Sequence, residues 1–164
     1  MAAGQYLQLG IERIEDGQVL GKCALFKLVA PKNLKGNNMP LVRIDLSQDA
    51  AETLGQDIGD VIYQAMMDVI NVPPDDRFQI VTWHGWHELI FPKSYLGIEY
   101  SPGIVFIQIT LNQGRSVDLK KAFYRRVADD LHTKLGLRKQ DIVINLIEVA
   151  KENWSFGNGE MQYA

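Results

Sequence analysis

The chain has one cysteine, Cys23, so no disulfide can close within it and nothing points to an oxidising compartment. It lacks a surplus of positive charge: 17 Lys and Arg stand against 20 Asp and Glu, for a net charge of −3. That gives no basis for nucleic-acid binding, which needs a clustered basic face. No apolar run approaches the ~20 residues that span a bilayer. The best candidate for a signal peptide, residues 23–30, is broken by Lys27 and comes too late, and Glu12, Glu15 and Asp16 are out of place in a transit peptide. What remains is an ordinary globular composition, 46% hydrophobic and 23% charged, in 164 residues. That length suits one buried core and is short for two. The expectation is a soluble, cytoplasmic protein with neither nucleic-acid nor membrane partners.

The chain does have an internal echo. Shifted by 65 residues against itself, it brings Val42 onto Ile107, Ile44 onto Ile109, Leu46 onto Leu111, Gln48 onto Gln113 and Asp76 onto Asp141. Each unit opens on a strand-like run, residues 40–46 and 104–111, the second apolar enough for burial on both faces. A helical pattern follows in each. Leu54, Ile58, Val61, Ile62, Ala65, Met66, Val69 and Ile70 mark the first, with Asp49 and Glu52 spaced as a capping box. Leu119, Phe123, Val127, Leu131 and Leu135 mark the second, between Ser116 as N-cap and Gly136 as stop. Second strands are expected over residues 77–83 and 141–149. Two β-α-β units side by side predict an α/β (α+β) fold: a four-stranded sheet with both helices on one face. Gly55 and Gly59, four apart in the first helix, suit a close approach to that sheet.

Residues 1–39 have no counterpart in the second unit. They suggest a short hairpin turning at Asp16-Gly17, then the polar linker 31–38, and they carry +2 where the remainder carries −5. This shift divides the chain into an extension, 1–39, and a domain, 40–164. The extension reads as an over-extended reading frame or an artificially added segment, with Met39 as a start whose removal exposes Pro40.

Five segments within the domain resemble one family: 39–46 (Met-Pro-Leu-Val-Arg-Ile-Asp-Leu), 72–79 (Val-Pro-Pro-Asp-Asp-Arg-Phe-Gln), 107–116 (ending Gly-Arg-Ser), 141–149, and 153–159 (Asn-Trp-Ser-Phe-Gly-Asn-Gly). In this order they are similar to the tautomerase superfamily. The resemblance is to its long-chain branch of two fused β-α-β units, which includes malonate semialdehyde decarboxylase and cis-3-chloroacrylic acid dehalogenase. It implies a homotrimer, a small carboxylate substrate, no cofactor, and an amino-terminal proline as catalytic group.

That proline matches Pro40. A free α-amine titrates near 8, and burial beside a positive charge lowers this, so the amine would serve as a general base at neutral pH. A proline inside a chain has no such amine, and Pro40 would then merely open an edge strand. Arg115 matches the family arginine that contacts the substrate carboxylate, a role for a planar, always-charged fork. Asp76 matches an aspartate that sets the proline's protonation, although Pro-Pro-Asp-Asp is also a good turn. Trp154 and Phe156 match an apolar wall. The chain departs from the pattern at Gln113 and Asn112, where the decarboxylase and the dehalogenase respectively carry a second arginine, and at Met66 and Met67, where the dehalogenase has a histidine. This favours simple tautomerisation of a 2-oxo acid over decarboxylation or hydration. A non-enzymatic binding protein remains the alternative should Pro40 be internal. His84, His87 and Glu88 make only a weak metal motif, since Cys23 lies outside the domain and His132 has no local partner; Trp83, Trp86 and Phe91 suggest a loop packed through aromatics instead, so no metal is expected.

Overall fold

The computed structural model describes residues 39–85 and 87–163, which fall within one compact unit, Gly36–Ala164. Cys23 and the turn expected at Asp16-Gly17 lie outside the described residues, as does Trp86.

Among the described residues six strands and two helices follow in order: β1 (Leu41–Ser47), α1 (Leu54–Ile70), β2 (Phe78–His84), β3 (Ser94–Tyr95), β4 (Ile98–Glu99), β5 (Val105–Asn112), α2 (Val117–Leu135) and β6 (Ile142–Val149). The main sheet has the order β2-β1-β5-β6. Within each repeat the strands are parallel; at the join, β1 and β5 are antiparallel, with Leu41 opposite Thr110. The expected four-stranded sheet with two helices is therefore present. Alternation explains the core: Val42, Ile44 and Leu46 of β1 and Ile107, Ile109 and Leu111 of β5 point to one face and are buried. Ile58, Ile62 and Met66 of α1 and Phe123, Val127 and Leu131 of α2 close over them.

The helix boundaries show which local signals prevailed. Ser116 accepts the Leu119 amide at 3.2 Å and Gly136 ends α2 in the left-handed region, both as expected. The capping box at Asp49 and Glu52 does not form. Residues 48–53 are spent in a turn, held by Ala50 N–H to Ser47 O, and α1 begins only at Leu54. Its other end is set by Asn71 (φ 56°), two residues ahead of Pro73. The two α1 glycines permit close packing on β2. A Cβ on Gly55 would fall 2.3 Å from Val81 Cγ1, and one on Gly59 2.5 Å from Gln79 Oε1. Gln79 Nε2 donates to the Gly59 carbonyl at 2.8 Å, which joins strand to helix. Two features differ from expectation. Pro40 does not open an edge strand, because β1 is paired on both sides. The segment between β2 and β5, expected as an aromatic-packed loop, contains the small hairpin β3-β4, with Phe91 edge-on to Tyr100 at 6.4 Å.

Candidate functional site

Strand direction gathers the motif residues. β1 and β2 start at one end of the sheet; β5 and β6, running the other way, finish there. Pro40 just before β1, Asp76 two residues before β2, the 112–115 loop after β5 and the segment after Val149 all come to this end.

Arg115 is held by the loop that carries it. Gly114 has φ +123°, a conformation that L side chains rarely adopt. Arg115 then folds back, and its Nη1 donates to the Asn112 carbonyl at 2.6 Å. Its Nε and Nη2 are buried and have no acceptor among the described residues. Those two nitrogens form one edge of the guanidinium, the edge that grips a carboxylate through two parallel hydrogen bonds. Burial pulls the Arg115 pKa down, opposed by the nearby charge of Glu148. Buried donors left unmatched are costly, about 1–3 kcal/mol or more for a charged group. An anion at this edge would remove that cost.

Pro40 is buried, and in the 164-residue chain its nitrogen is acylated by Met39. Asp76 lies in the loop before β2. Tyr63 of α1 accepts the Asp75 amide at 2.8 Å, and Arg77 covers the Tyr63 ring at 5.3 Å while pairing with Asp60. Arg77 thus has a structural part. The Asp76 carboxyl is pushed up by burial first and by Asp75 second.

A run of contacts connects these groups. Trp154 Nε1 donates to Asn112 Oδ1 at 2.8 Å, and the indole stacks on Phe156 with centroids 5.3 Å apart and planes 15° from parallel. Phe156 meets Tyr163 edge-on at 5.0 Å and Phe78 at 6.4 Å. The turn 157–159, all at positive φ, brings Tyr163 back, and Gln162 ties it by accepting from Phe156 N and donating to Gly157 O, each at 2.9 Å. The Tyr163 hydroxyl lies beside the Met39 backbone. Its pKa is raised by burial and then by Asp76, with the Met39 backbone acting in the opposite sense. Contacts therefore run from Met39 through Tyr163, Phe156, Trp154 and Asn112 to Arg115.

Sequence reasoning missed Asn112, Tyr163 and Glu148 as parts of this assembly. Asn112, 3% exposed, could have been suspected as a polar residue closing an apolar strand. Glu148 takes an inward register position after Ile144 and Leu146. Tyr163 gave no local signal. Lys120 of α2 donates to Glu148 Oε2 at 2.6 Å. His84 bonds Asp45 at 2.7 Å, and no group of three or more His, Cys, Asp or Glu among the described residues is arranged to hold a metal ion.

A family model described as "Tautomerase enzyme" matches residues 76–157. The chain is 40% identical to the probable tautomerase YusQ of Bacillus subtilis (strain 168) over 124 residues, covering 76% of this chain and 98% of that protein. Against the probable tautomerase YrdN of the same organism it is 30% identical over 125 residues, covering 76% and 96%. Among solved structures, FG41 malonate semialdehyde decarboxylase inhibited by 3-bromopropiolate superposes with a TM-score of 0.69 at 33% identity, covering 75% of this chain and 93% of that one. The extent of these matches and the shared fold show that this chain belongs to the tautomerase family.

Proposed function

We propose that the protein catalyses keto-enol tautomerisation of a small 2-oxo acid, with the amine of Pro40 as general base. The observation that carries this reading is the buried Nε–Nη2 edge of Arg115, unmatched among the described residues and at the same sheet end as Pro40. Neutral Pro40 amine takes a proton from the carbon beside the carbonyl, and the electron pair moves to the carbonyl oxygen. Arg115 holds the carboxylate and stabilises the developing enolate oxygen. The ammonium then returns the proton to that oxygen, so the cycle needs no cofactor. Trp154 and Phe156 form the apolar wall that desolvates the ammonium, and Asp76 tunes its pKa.

The reading requires a free secondary amine, hence an active chain that opens at Pro40, with residues 1–39 outside the working domain. Ketonisation of enol-phenylpyruvate by the chain opening at Pro40, compared with the 164-residue chain, tests it. The first should be active with a rate that rises through the amine pKa; the second should be almost inactive. Equal activity, with intact mass excluding proteolysis, would overturn proline catalysis and leave a non-enzymatic binding role for the acylated form.

A second reading, decarboxylation or hydration of a three-carbon acid, draws on the likeness to the malonate semialdehyde decarboxylases, at 33% and 28% identity. The loop carries Gln113 and only Arg115 as a cation, which favours tautomerisation. Acetaldehyde release from malonate semialdehyde at a rate above ketonisation would reverse that order. We also infer a homotrimer. The sheet face away from the helices exposes Phe78 (48%), Ile80 (40%) and Ile147 (37%), apolar surface that self-association would bury. Sedimentation as a trimer is expected; a monomer at micromolar concentration would exclude it.

A further inference from the structure

We propose that Glu148 is the positioning residue for Arg115: clamped by Lys120, its carboxylate fixes the Gly114–Arg115 backbone so that the Nε–Nη2 edge stays open to the substrate carboxylate. The proposal rests on the carboxylate-binding role of Arg115 given above. Glu148 stands in β6 directly opposite Leu111 of β5, two residues after Leu146, so it takes a register position that apolar side chains fill elsewhere on this strand. A carboxylate there needs partners. Among the described residues two hydrogen bonds meet it, from the Arg115 amide to Oε1 at 3.3 Å and from Lys120 Nζ to Oε2 at 2.6 Å, and the Gly114 amide also acts on its charge. None of these bonds goes to the guanidinium.

This arrangement has a consequence for the arginine. Among the described residues, the one hydrogen bond of the Arg115 side chain goes to Asn112 O, the backbone carbonyl that ends β5. The guanidinium is therefore set from two sides: its tip by the strand end, and its base by the Gly114–Arg115 backbone, which Glu148 holds. Gly114, at φ +123° and with open space where a Cβ would stand, offers little resistance of its own to movement. Lys120 has a second effect. By occupying Oε2, it holds the carboxylate away from the open edge of Arg115, where it would compete with substrate. The lowered pKa of Glu148, caused first by the Lys120 hydrogen bond, keeps this clamp charged at neutral pH.

The test uses the 164-residue chain, phenylpyruvate as probe, and the Arg115 Nε–H resonance in a nitrogen-labelled sample. Glu148→Ala should shift and broaden that resonance and weaken phenylpyruvate about tenfold or more, the loss expected when charge-assisted hydrogen bonds are misaligned. Glu148→Gln should restore both within about threefold, because an amide oxygen still accepts from the Arg115 backbone N–H. Should the alanine variant fail to fold, Glu148→Asp replaces it: the charge stays but the carboxylate is drawn back by one methylene, and the same resonance should move. An unchanged Arg115 resonance and affinity in these variants, with Arg115→Ala weakened, would overturn the positioning role alone. Equal affinity of Arg115→Ala and the parent chain would overturn the carboxylate reading itself.

Discussion

The two ends of the sheet each bury a charged side chain, and they treat it in opposite ways. At the far end Asp141, 3% exposed, accepts from Ser101 N at 2.7 Å, Ser101 Oγ at 2.6 Å and Arg138 Nη1 at 3.1 Å. Its partners come from the loop after β4 and from the segment leading into β6, and they pin the two together. At the near end Arg115 has, among the described residues, one side-chain hydrogen bond, to the last carbonyl of β5, and two buried nitrogens unmatched. The first arrangement supports structure; the second leaves capacity for a ligand. A hollow of ≈ 680 Å³ lies at the far end, lined by Ser47, Asp49, His87, Phe91, Lys93 and Tyr100 among others, and includes none of the motif residues. The unmet hydrogen-bonding capacity is the better guide.

Four measurements test this contrast. The largest effect is expected for Arg115→Met in the chain opening at Pro40. It should lower kcat/KM about 10²–10³-fold, the usual loss when a donor to a developing oxyanion is removed. Its Tm should hold or rise, since a desolvated charge with unmatched donors is replaced by an apolar chain of similar length. A fall in Tm would mean that Arg115 is structural.

Asp141→Ala should do the reverse. Leaving the Ser101 donors and Arg138 without their acceptor should cost about 2–4 kcal/mol in denaturant unfolding, with activity per folded molecule unchanged. Loss of activity in proportion to a small stability change would erase the distinction between the ends.

Glu148→Gln should lower stability at neutral pH by a smaller amount. The folded pKa of Glu148 is depressed by Lys120, so its contribution is present above the ordinary carboxyl pKa and is lost as pH falls through the folded value. The stability gap between variant and parent should close in acid. A gap that stayed constant with pH would show that the ion pair contributes nothing.

The smallest effect is expected for Asp76→Asn. Burial and Asp75 raise the folded pKa, so deprotonation opposes folding, and parent stability should drop as pH rises from the ordinary carboxyl pKa through the folded one. Above that window the variant should unfold at slightly higher temperature; below it the two should coincide. The pH–rate profile should shift in the same variant, and a Tm gain without any shift would detach Asp76 from catalysis.

The sequence made some of this site legible and left other parts hidden. The alternation of Val42, Ile44 and Leu46 and the four-residue stripe ending at Leu135 were readable because side-chain period and backbone geometry are coupled over a few residues. Ser116 and Gly136 were readable because caps act across one turn. The capping box at Asp49 and Glu52 was a false signal, since Ser47 closed a turn first. Asn112 and Glu148 carry no local signature of partnership; their partners lie 42 and 28 residues away, in Trp154 and Lys120. Tyr163 reaches the Met39 backbone from the other end of the domain.

By itself, then, the sequence determined the elements, the repeat, and which residue types stand in the motifs, because these follow from propensity and patterning within a few turns of chain. Only the tertiary structure decided which charges are matched and which are not. That depends on the antiparallel join of β1 to β5, which brings the starts of two strands and the ends of two others to one edge of the sheet. There Arg115 is tied to the end of β5 with one edge unmatched among the described residues, whereas Asp141, at the opposite edge, is engaged by Ser101 and Arg138.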